Sequence, residues 1–247
     1  MSNPVFSKKQ KAPTFRGAPA IDAAGAMTYD DVIMKTLFCM GVLVAGGVIG
    51  WANPSLVLVG VVVATVLAFV SIFKKTPSPT LVLGYAAFEG LALGGVSAVF
   101  EARYEGIVIQ AVLATVSVFA ATLAAFKFGG FRATPAMVKM VLVAMIGYLV
   151  YSVINLLLVA FHVVNTPFGI NSLKIPGTDI PIGVAVGLIV VLLAAFNLIM
   201  DFTTIEDDVT SHALQIESWR NAFGLMLTIV WLYLEILRLL ALLRGDD

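Results

Sequence analysis

The stretch IGVAVGLIVVLLAAFNLIMD, residues 182–201, is almost entirely apolar until it ends on an aspartate. A helix needs about 20 such residues to cross the hydrocarbon core of a bilayer, so we predict a transmembrane helix over residues 182–200. A carboxylate at the edge of the hydrocarbon is costly to bury and normally faces protein or a water-filled cavity. Asp201 is therefore the first candidate for a functional residue.

The composition of the whole chain indicates a membrane protein. Of its 247 residues, 60% are hydrophobic and 12% are charged, whereas soluble domains are about 45–50% apolar and about 25% charged. The formal net charge is zero, which argues against a nucleic-acid partner because such a partner favours a basic face. The single cysteine, Cys39, excludes an internal disulfide.

Six further apolar runs accompany residues 182–200. They are continuous and lack the alternation of barrel strands, so they predict helices. The predicted fold is an all-α integral membrane protein, a seven-transmembrane-helix bundle in contact with the lipid bilayer. The segments are placed at 33–51, 56–73, 81–100, 107–126, 137–161, 182–200 and 222–243. Residues 1–32 are interpreted as a flexible basic cytosolic tail, and residues 33–247 as the transmembrane domain.

Basic residues are concentrated in alternate connections, and this bias sets the predicted orientation. On the tail's side they are Lys8, Lys9, Lys11, Arg16, Lys35, Lys74, Lys75, Lys127, Arg132, Lys139 and Arg220. On the other side they are Arg103, Lys174 and Arg244. The positive-inside rule then places the N-terminus in the cytoplasm and the C-terminus outside, with Asp201 and the acidic segment 206–220 at the cytoplasmic face. An alternative is that the last segment enters the membrane without crossing it, since it carries Glu235 and Arg238.

Glycines recur at four-residue spacing in two of the predicted helices. Gly46 and Gly50 lie in the first segment, and Gly90 and Gly94 lie in the third. Small residues at this spacing let helix backbones approach closely. Ordinary packing within the chain is the favoured interpretation, and a sliding or dimerising seam is the alternative.

Ionisable and amide side chains inside the predicted helices are the other candidates for functional residues. Glu89 is either a carboxylate that lines a pathway through the membrane or a neutral, hydrogen-bonded structural acid. Asn197 precedes Asp201 by four residues, so the two share a helix face. Glu235 and Arg238 are three residues apart and can pair on one helix. Alternatively, Arg238 is a counter-charge for Glu89 or Asp201.

The sequence shows none of the residue patterns that carry catalysis. His162 and His212 lie in different connections, so helical spacing does not make them a metal pair. There is no Gly-rich phosphate loop or His-Glu-x-x-His helix. Asp207 and Asp208 are interpreted as solvated loop charges. We therefore expect neither an enzyme nor a protein with a cofactor or a built metal site.

The last two segments carry a resemblance to a known family. The sixth ends in FNLIMD, residues 196–201, ahead of a polar turn, and the last reads AFGLMLT at 222–228 and YLEILRLL at 233–240. Together with seven helices and a short basic tail, these features resemble the transmembrane Bax inhibitor motif (Bax inhibitor-1-like) family over about residues 30–245. The likeness suggests a bacterial branch, and hence a multi-pass protein of the bacterial inner membrane.

The resemblance implies a particular architecture and activity. It implies two three-helix layers around a central last helix, and a pH-sensitive calcium leak. An aspartate at the position of Asp201 pairs, in that family, with a second aspartate on the last helix. Here the second position is Thr228, which can hydrogen-bond Asp201 but cannot share a titrating proton with it. Glu206 and Glu235 are the other acidic candidates, although neither occupies the matching turn.

Two functions follow as hypotheses of different classes. The first is an ion leak channel for calcium or another cation with a carboxylate gate at Asp201, where one or two carboxylates would hold Ca²⁺ only weakly. The second is a non-transporting membrane regulator that binds and modulates a membrane quality-control protease. Flux in liposomes distinguishes the two hypotheses, because a regulator should carry none.

Overall fold

The structure of the protein is a computed structural model that describes residues 25–164, 166 and 168–245. This part of the chain contains seven long helices. Residues 1–24 of the predicted tail lie outside the described residues. The helices are α1 Tyr29–Ala52, α2 Val57–Phe73, α3 Pro79–Arg103, α4 Ile107–Gly129, α5 Pro135–Ala160, α6 Ile182–Thr210 and α7 Ser218–Arg244. All seven are long and apolar enough to cross a membrane, and no strand occurs among the described residues. The predicted fold class is confirmed.

Most helix boundaries lie within four residues of the prediction, and two of the differences have a clear local cause. Helix α1 begins at Tyr29, four residues early, because Thr28 caps it in a reciprocal capping box with Asp31. Helix α6 continues through Asp201 to Thr210, so the expected polar turn after Asp201 is helical. Hydropathy marks where the hydrocarbon ends, whereas the backbone hydrogen bonds of a helix continue into water. The connection to α7 shrinks accordingly to residues 211–217.

Helix α7 lies at the centre of the bundle. It packs against α1, α3, α4 and α6, while α1 and α2 pack on α3, and α4 and α5 pack on α6. Of its most apolar stretch, 61% is buried, against 6% for α5. The helices thus form two groups of three, α1–α3 and α4–α6, around the last helix.

Close contact between α1 and α3 depends on the glycines singled out in the sequence. A Cβ atom on Gly90 would overlap the backbone carbonyl of Leu43, and one on Gly94 would overlap that of Gly47. Gly46 and Gly50 face α3 backbone in the same way. The glycine pairs therefore serve packing within the chain.

Gly94→Ala is expected to lower the free energy of unfolding by about 1–3 kcal/mol, because the added methyl group must push α1 and α3 apart. Gly41→Ala is the matched control in α1, since a Cβ there meets nothing within 4 Å and alanine is the better helix former. Thermal unfolding in detergent compares the two variants. Equal melting temperatures would show that the glycine contact does not hold these helices together.

The connections separate into two ends of the bundle. At the end where α1 begins, here called the tail end, Met27 N donates to Ala213 O at 2.8 Å. Arg220 Nη2 donates to Lys75 O at 2.6 Å at this end, which joins the start of α7 to the α2–α3 connection. At the opposite end, Arg244 Nη1 donates to Glu105 O at 2.7 Å. Helix α7 therefore runs from one end of the bundle to the other, which is the arrangement expected of a last segment that crosses the membrane.

Candidate ion-pathway site

Asp201 lies where α6 meets α7, within a chain of hydrogen bonds. Thr228 Oγ1 donates to Asp201 Oδ2 at 2.6 Å, and Asn197 Nδ2 donates to the same Oγ1 at 2.7 Å. The Thr228 hydroxyl has one proton to donate. Its contact with Gly224 O is longer, 3.2 Å, and is therefore the weaker of its two hydrogen bonds. The predicted contact between Asp201 and the last helix at Thr228 is present, and Asn197 extends it.

The amphipathic stripe of α6 explains why Asp201 points towards α7. The buried residues of α6 recur every three or four positions, as in Ala194, Leu198, Phe202 and Ile205, which places one face against the bundle. Asp201 lies beside this stripe and is partly buried. On α7, its Oδ1 faces Gly224, where no side chain stands against the carboxylate. The carboxylate is thus bonded through one oxygen, and its other oxygen lies beside a residue that has no side chain.

Glu235 and Arg238 form a buried ion pair on α7. Arg238 Nη2 lies 2.6 Å from Glu235 Oε2, and the Glu235 residue is only 6% exposed. Tyr148 of α5 donates its hydroxyl proton to Glu235 Oε1. The predicted pairing within one helix is confirmed, and the alternative of Arg238 as a counter-charge for Glu89 or Asp201 is wrong. Thr228, Glu235 and Arg238 are spaced by seven and three residues on α7, so they form one polar stripe along this helix.

A polar cavity of about 380 Å³ lies beside Arg238, towards the opposite end of the bundle. Its lining includes Tyr148, Ser152, Asn155 and Asn171. Asn155 fixes the short segment after α5 through two hydrogen bonds. Its Nδ2 donates to Phe168 O at 3.1 Å, and its Oδ1 accepts from Ile170 N at 2.8 Å. The Nε atom of Arg238 is buried and has no hydrogen-bond partner among the described residues. This lining has room and polarity for water beside the ion pair.

Glu89 lies within α3 and is partly buried. It hydrogen-bonds Tyr85, one helical turn earlier. The ring of Tyr85 packs edge-to-face on Phe223 of α7, with centroids 5.1 Å apart. The partner found for Glu89 is thus a tyrosine of its own helix, which is the contact expected of a hydrogen-bonded structural acid.

Glu206 pairs with Arg132 at the tail end. Arg132 Nε donates to Glu206 Oε2 at 2.5 Å, and Arg132 Nη2 donates to Glu206 Oε1 at 2.9 Å. This is a bidentate ion pair, which suits the planar guanidinium group. The hydrogen bond to Glu206 raises the pKa of Arg132. Arg132 also donates to Phe126 O at the end of α4 and covers the Phe126 ring at 3.7 Å. Glu206 therefore serves the α4–α5 connection, and the structure does not bring it to Asp201 as a second acid.

The interpretation of Asp207 and Asp208 as solvated loop charges is wrong in part. Both lie on α6, because the helix extends beyond the hydrophobic run. Asp207 is exposed, but Asp208 Oδ2 accepts a hydrogen bond from Asn221 Nδ2 of α7 at 2.9 Å. Asp208 thus links α6 to the start of α7.

Two residues of this region were not predicted from the sequence. Tyr148 contacts Glu235 from 87 positions away, and no local pattern marks it. Arg132 contacts Glu206 from 74 positions away. A single arginine beside an otherwise apolar run, facing an acidic connection on the same predicted side, is the signal that could have identified Arg132.

Seven spanning helices with ionisable side chains between them define a multi-pass integral membrane protein. A comparison with curated proteins gives no match. The family model described as Bax inhibitor 1 like matches residues 3–245, nearly the whole chain. The protein therefore belongs to the Bax inhibitor 1 like family, as the resemblance in its last two helices predicted.

Proposed function

We propose that the protein is a pH-sensitive cation leak channel, with calcium as the expected ion, and that Asp201 is its gate. The observation that carries the proposal is the 2.6 Å hydrogen bond from Thr228 to Asp201. It ties an ionisable group to the central helix within the membrane-spanning part of the bundle. A charged group in such a position is a functional candidate because its burial is unfavourable.

The gate works through the strength of this hydrogen bond. A bond to an ionised carboxylate is roughly twice as strong as one between neutral groups, so protonation of Asp201 weakens the link between α6 and α7. Protonation also removes the negative charge that attracts a cation. Protonation can shift the closed-to-open equilibrium only as far as its effect on the free energy of the closed state differs from its effect on that of the open state. We expect a shift of a few kcal/mol at most.

The route proposed for the ion follows the polar stripe of α7. Glu235 lies seven residues after Thr228, which is about 10 Å along a helix. Beyond the Glu235–Arg238 pair, the polar cavity continues towards the opposite end of the bundle. The stripe and the cavity support a path that runs along one side of the central helix.

Calcium flux into proteoliposomes across a pH series tests the proposal. A leak channel gives flux that exceeds that of protein-free liposomes and changes with pH along a one-proton curve, since Asp201 is a single titrating group. Absence of flux at every pH would reject the channel. It would favour the alternative of a regulator that binds a membrane quality-control protease.

Thr228→Asp is expected to change the shape of this pH response. It places a second carboxylate against Asp201, and two close carboxylates titrate as a coupled pair with separated pKa values. The flux should then follow two proton steps spread over a wider pH range. Thr228→Val, which removes the hydrogen bond without adding a charge, should keep a single step. A one-proton curve in both variants would show that position 228 is not coupled to the gate.

We further propose that the tail end faces the cytoplasm of a bacterial cell. In the described part of the chain, the basic side chains in the tail-end connections outnumber those at the opposite end, in line with the positive-inside rule. Reporter fusions should show the N-terminus in the cytoplasm and the C-terminus outside. Both reporters on one side would require an even number of crossings, which disagrees with seven spanning helices.

A further inference from the structure

A second cavity, here called the α1–α4 groove, lies between α1 and α4, and part of α7 forms its floor. Its volume is about 480 Å³, within the range of sites for small ligands. Its walls include Val44 and Val48 of α1 and Val112 and Val116 of α4, and its floor includes Ile229. All five are aliphatic, so the groove offers an apolar surface.

The few polar side chains of the groove are already satisfied by one another or by backbone. Ser97 Oγ and Tyr233 OH share a hydrogen bond of 2.6 Å, and Thr115 Oγ1 donates to Ala111 O at 2.7 Å. A polar ligand would have to break these bonds or leave its own groups unpaired, which is unfavourable in an apolar site. The chemistry of the groove therefore selects a hydrocarbon.

The groove is continuous with the surface that contacts lipid. Val44, Val48 and Val116 line it and are also 59%, 67% and 58% exposed. They belong to helices that span the membrane, so the medium beside them is the acyl region of the bilayer. A lipid chain can enter from the side without crossing water.

The length of the groove matches one leaflet. Its α1 wall runs from Met40 to Trp51, a rise of about 17 Å along the helix, and half of a hydrocarbon core is about 15 Å. Trp51 lies at the end of α1, and tryptophan favours the boundary between hydrocarbon and water. The headgroup would therefore lie near Trp51, at the opposite end of the bundle, with the chain extending towards Met40.

We propose that the α1–α4 groove binds one acyl chain of a phospholipid from the leaflet at the opposite end. The chain fills a void that would otherwise lack packing partners, and it touches the central helix at Ile229 and Tyr233. This site is separate from the polar stripe of α7, and the proposal does not depend on ion flux.

Phosphatidylcholine carrying a diazirine in its acyl chain tests the site in vesicles that contain the full-length protein. After photolysis, peptide mapping should find label on α7 at Ile229 or Tyr233, which lie behind the α1 and α4 walls. Val112→Phe extends a side chain into the groove and should reduce this α7 label several-fold. Leu113→Phe is the matched control, since Leu113 is 59% exposed and does not line the groove.

Labelling of α5 provides the internal reference for lipid contact in general. Leu149 and Leu156 of α5 are 62% and 65% exposed and should be labelled equally in every variant. Val48→Phe, on the other wall, should reduce the α7 label as Val112→Phe does, which separates filling of the groove from a folding defect of one variant. Label on α5 without label on α7, or α7 label that neither filling variant reduces, would overturn the proposal.

Discussion

Asp201→Asn should flatten the pH dependence of calcium flux and change the flux at those pH values where Asp201 is ionised in the unaltered protein. Asparagine has nearly the shape of aspartate and can still accept the hydrogen bond from Thr228, but it does not ionise in the working range. A hydrogen bond to a charged group contributes about 1.5–3 kcal/mol and one between neutral groups about 0.5–1.5 kcal/mol, so the difference of about 1–1.5 kcal/mol corresponds to a change in the open-to-closed ratio of roughly five-fold to ten-fold. Flux into proteoliposomes, measured across a pH series, gives both quantities at once.

Asp207→Asn is the matched control for this experiment. Asp207 lies on the same helix, carries the same charge and is exposed, so its removal should leave the flux and its pH dependence nearly unchanged. If Asp201→Asn behaves like Asp207→Asn, the gate hypothesis is wrong, and a regulator that transports nothing becomes the better explanation of the fold.

Arg238→Met should strongly destabilise the protein. Without Arg238, the carboxylate of Glu235 is left buried with Tyr148 as its remaining hydrogen-bond partner, and removal of one member of a buried ion pair typically costs about 3–5 kcal/mol. The double variant Glu235→Gln/Arg238→Met should recover most of the loss, since neither charge remains. Unfolding in detergent, followed by heat or denaturant, compares the variants.

The exposed pair of Lys174 and Asp179 provides the control for that comparison. Their side chains are 63% and 98% exposed, so water screens the pair and Lys174→Met should change the unfolding transition little. A loss of stability as small for Arg238→Met as for Lys174→Met would mean that Glu235 finds other partners or water, and that the polar cavity already hydrates the ion pair.

What could be predicted from the sequence depends on whether the interaction is local. The spans follow from continuous apolar runs, and the Glu235–Arg238 pair follows from a spacing of three residues. The contact of Tyr148 with Glu235 depends on how α5 rotates against α7, which no local pattern determines. The contact between Asp201 and Thr228 was predicted only because the resemblance related the two positions.

The start of α1 and the end of α6 were predicted less well because hydropathy was the signal used to place them. Hydropathy drops after Met200 because α6 leaves the hydrocarbon there, and the drop says nothing about where the helix itself ends. The start of α1 was missed for the same reason, although Thr28 followed three residues later by Asp31 is a readable capping pattern. Capping residues locate a helix terminus, whereas apolar residues locate the membrane.

The length of α6 has a consequence for the source of the proton. Its 29 residues span about 43 Å, of which the part from Ile182 to Asp201 covers about 28 Å, close to the hydrocarbon thickness of about 30 Å. We expect the remaining turns to project into water at the tail end, so that Asp201 exchanges protons with that compartment and is insulated from the other by the width of the bilayer. A gate placed in this way would be a one-sided sensor: it would respond to acidification of a single compartment and ignore the difference across the membrane.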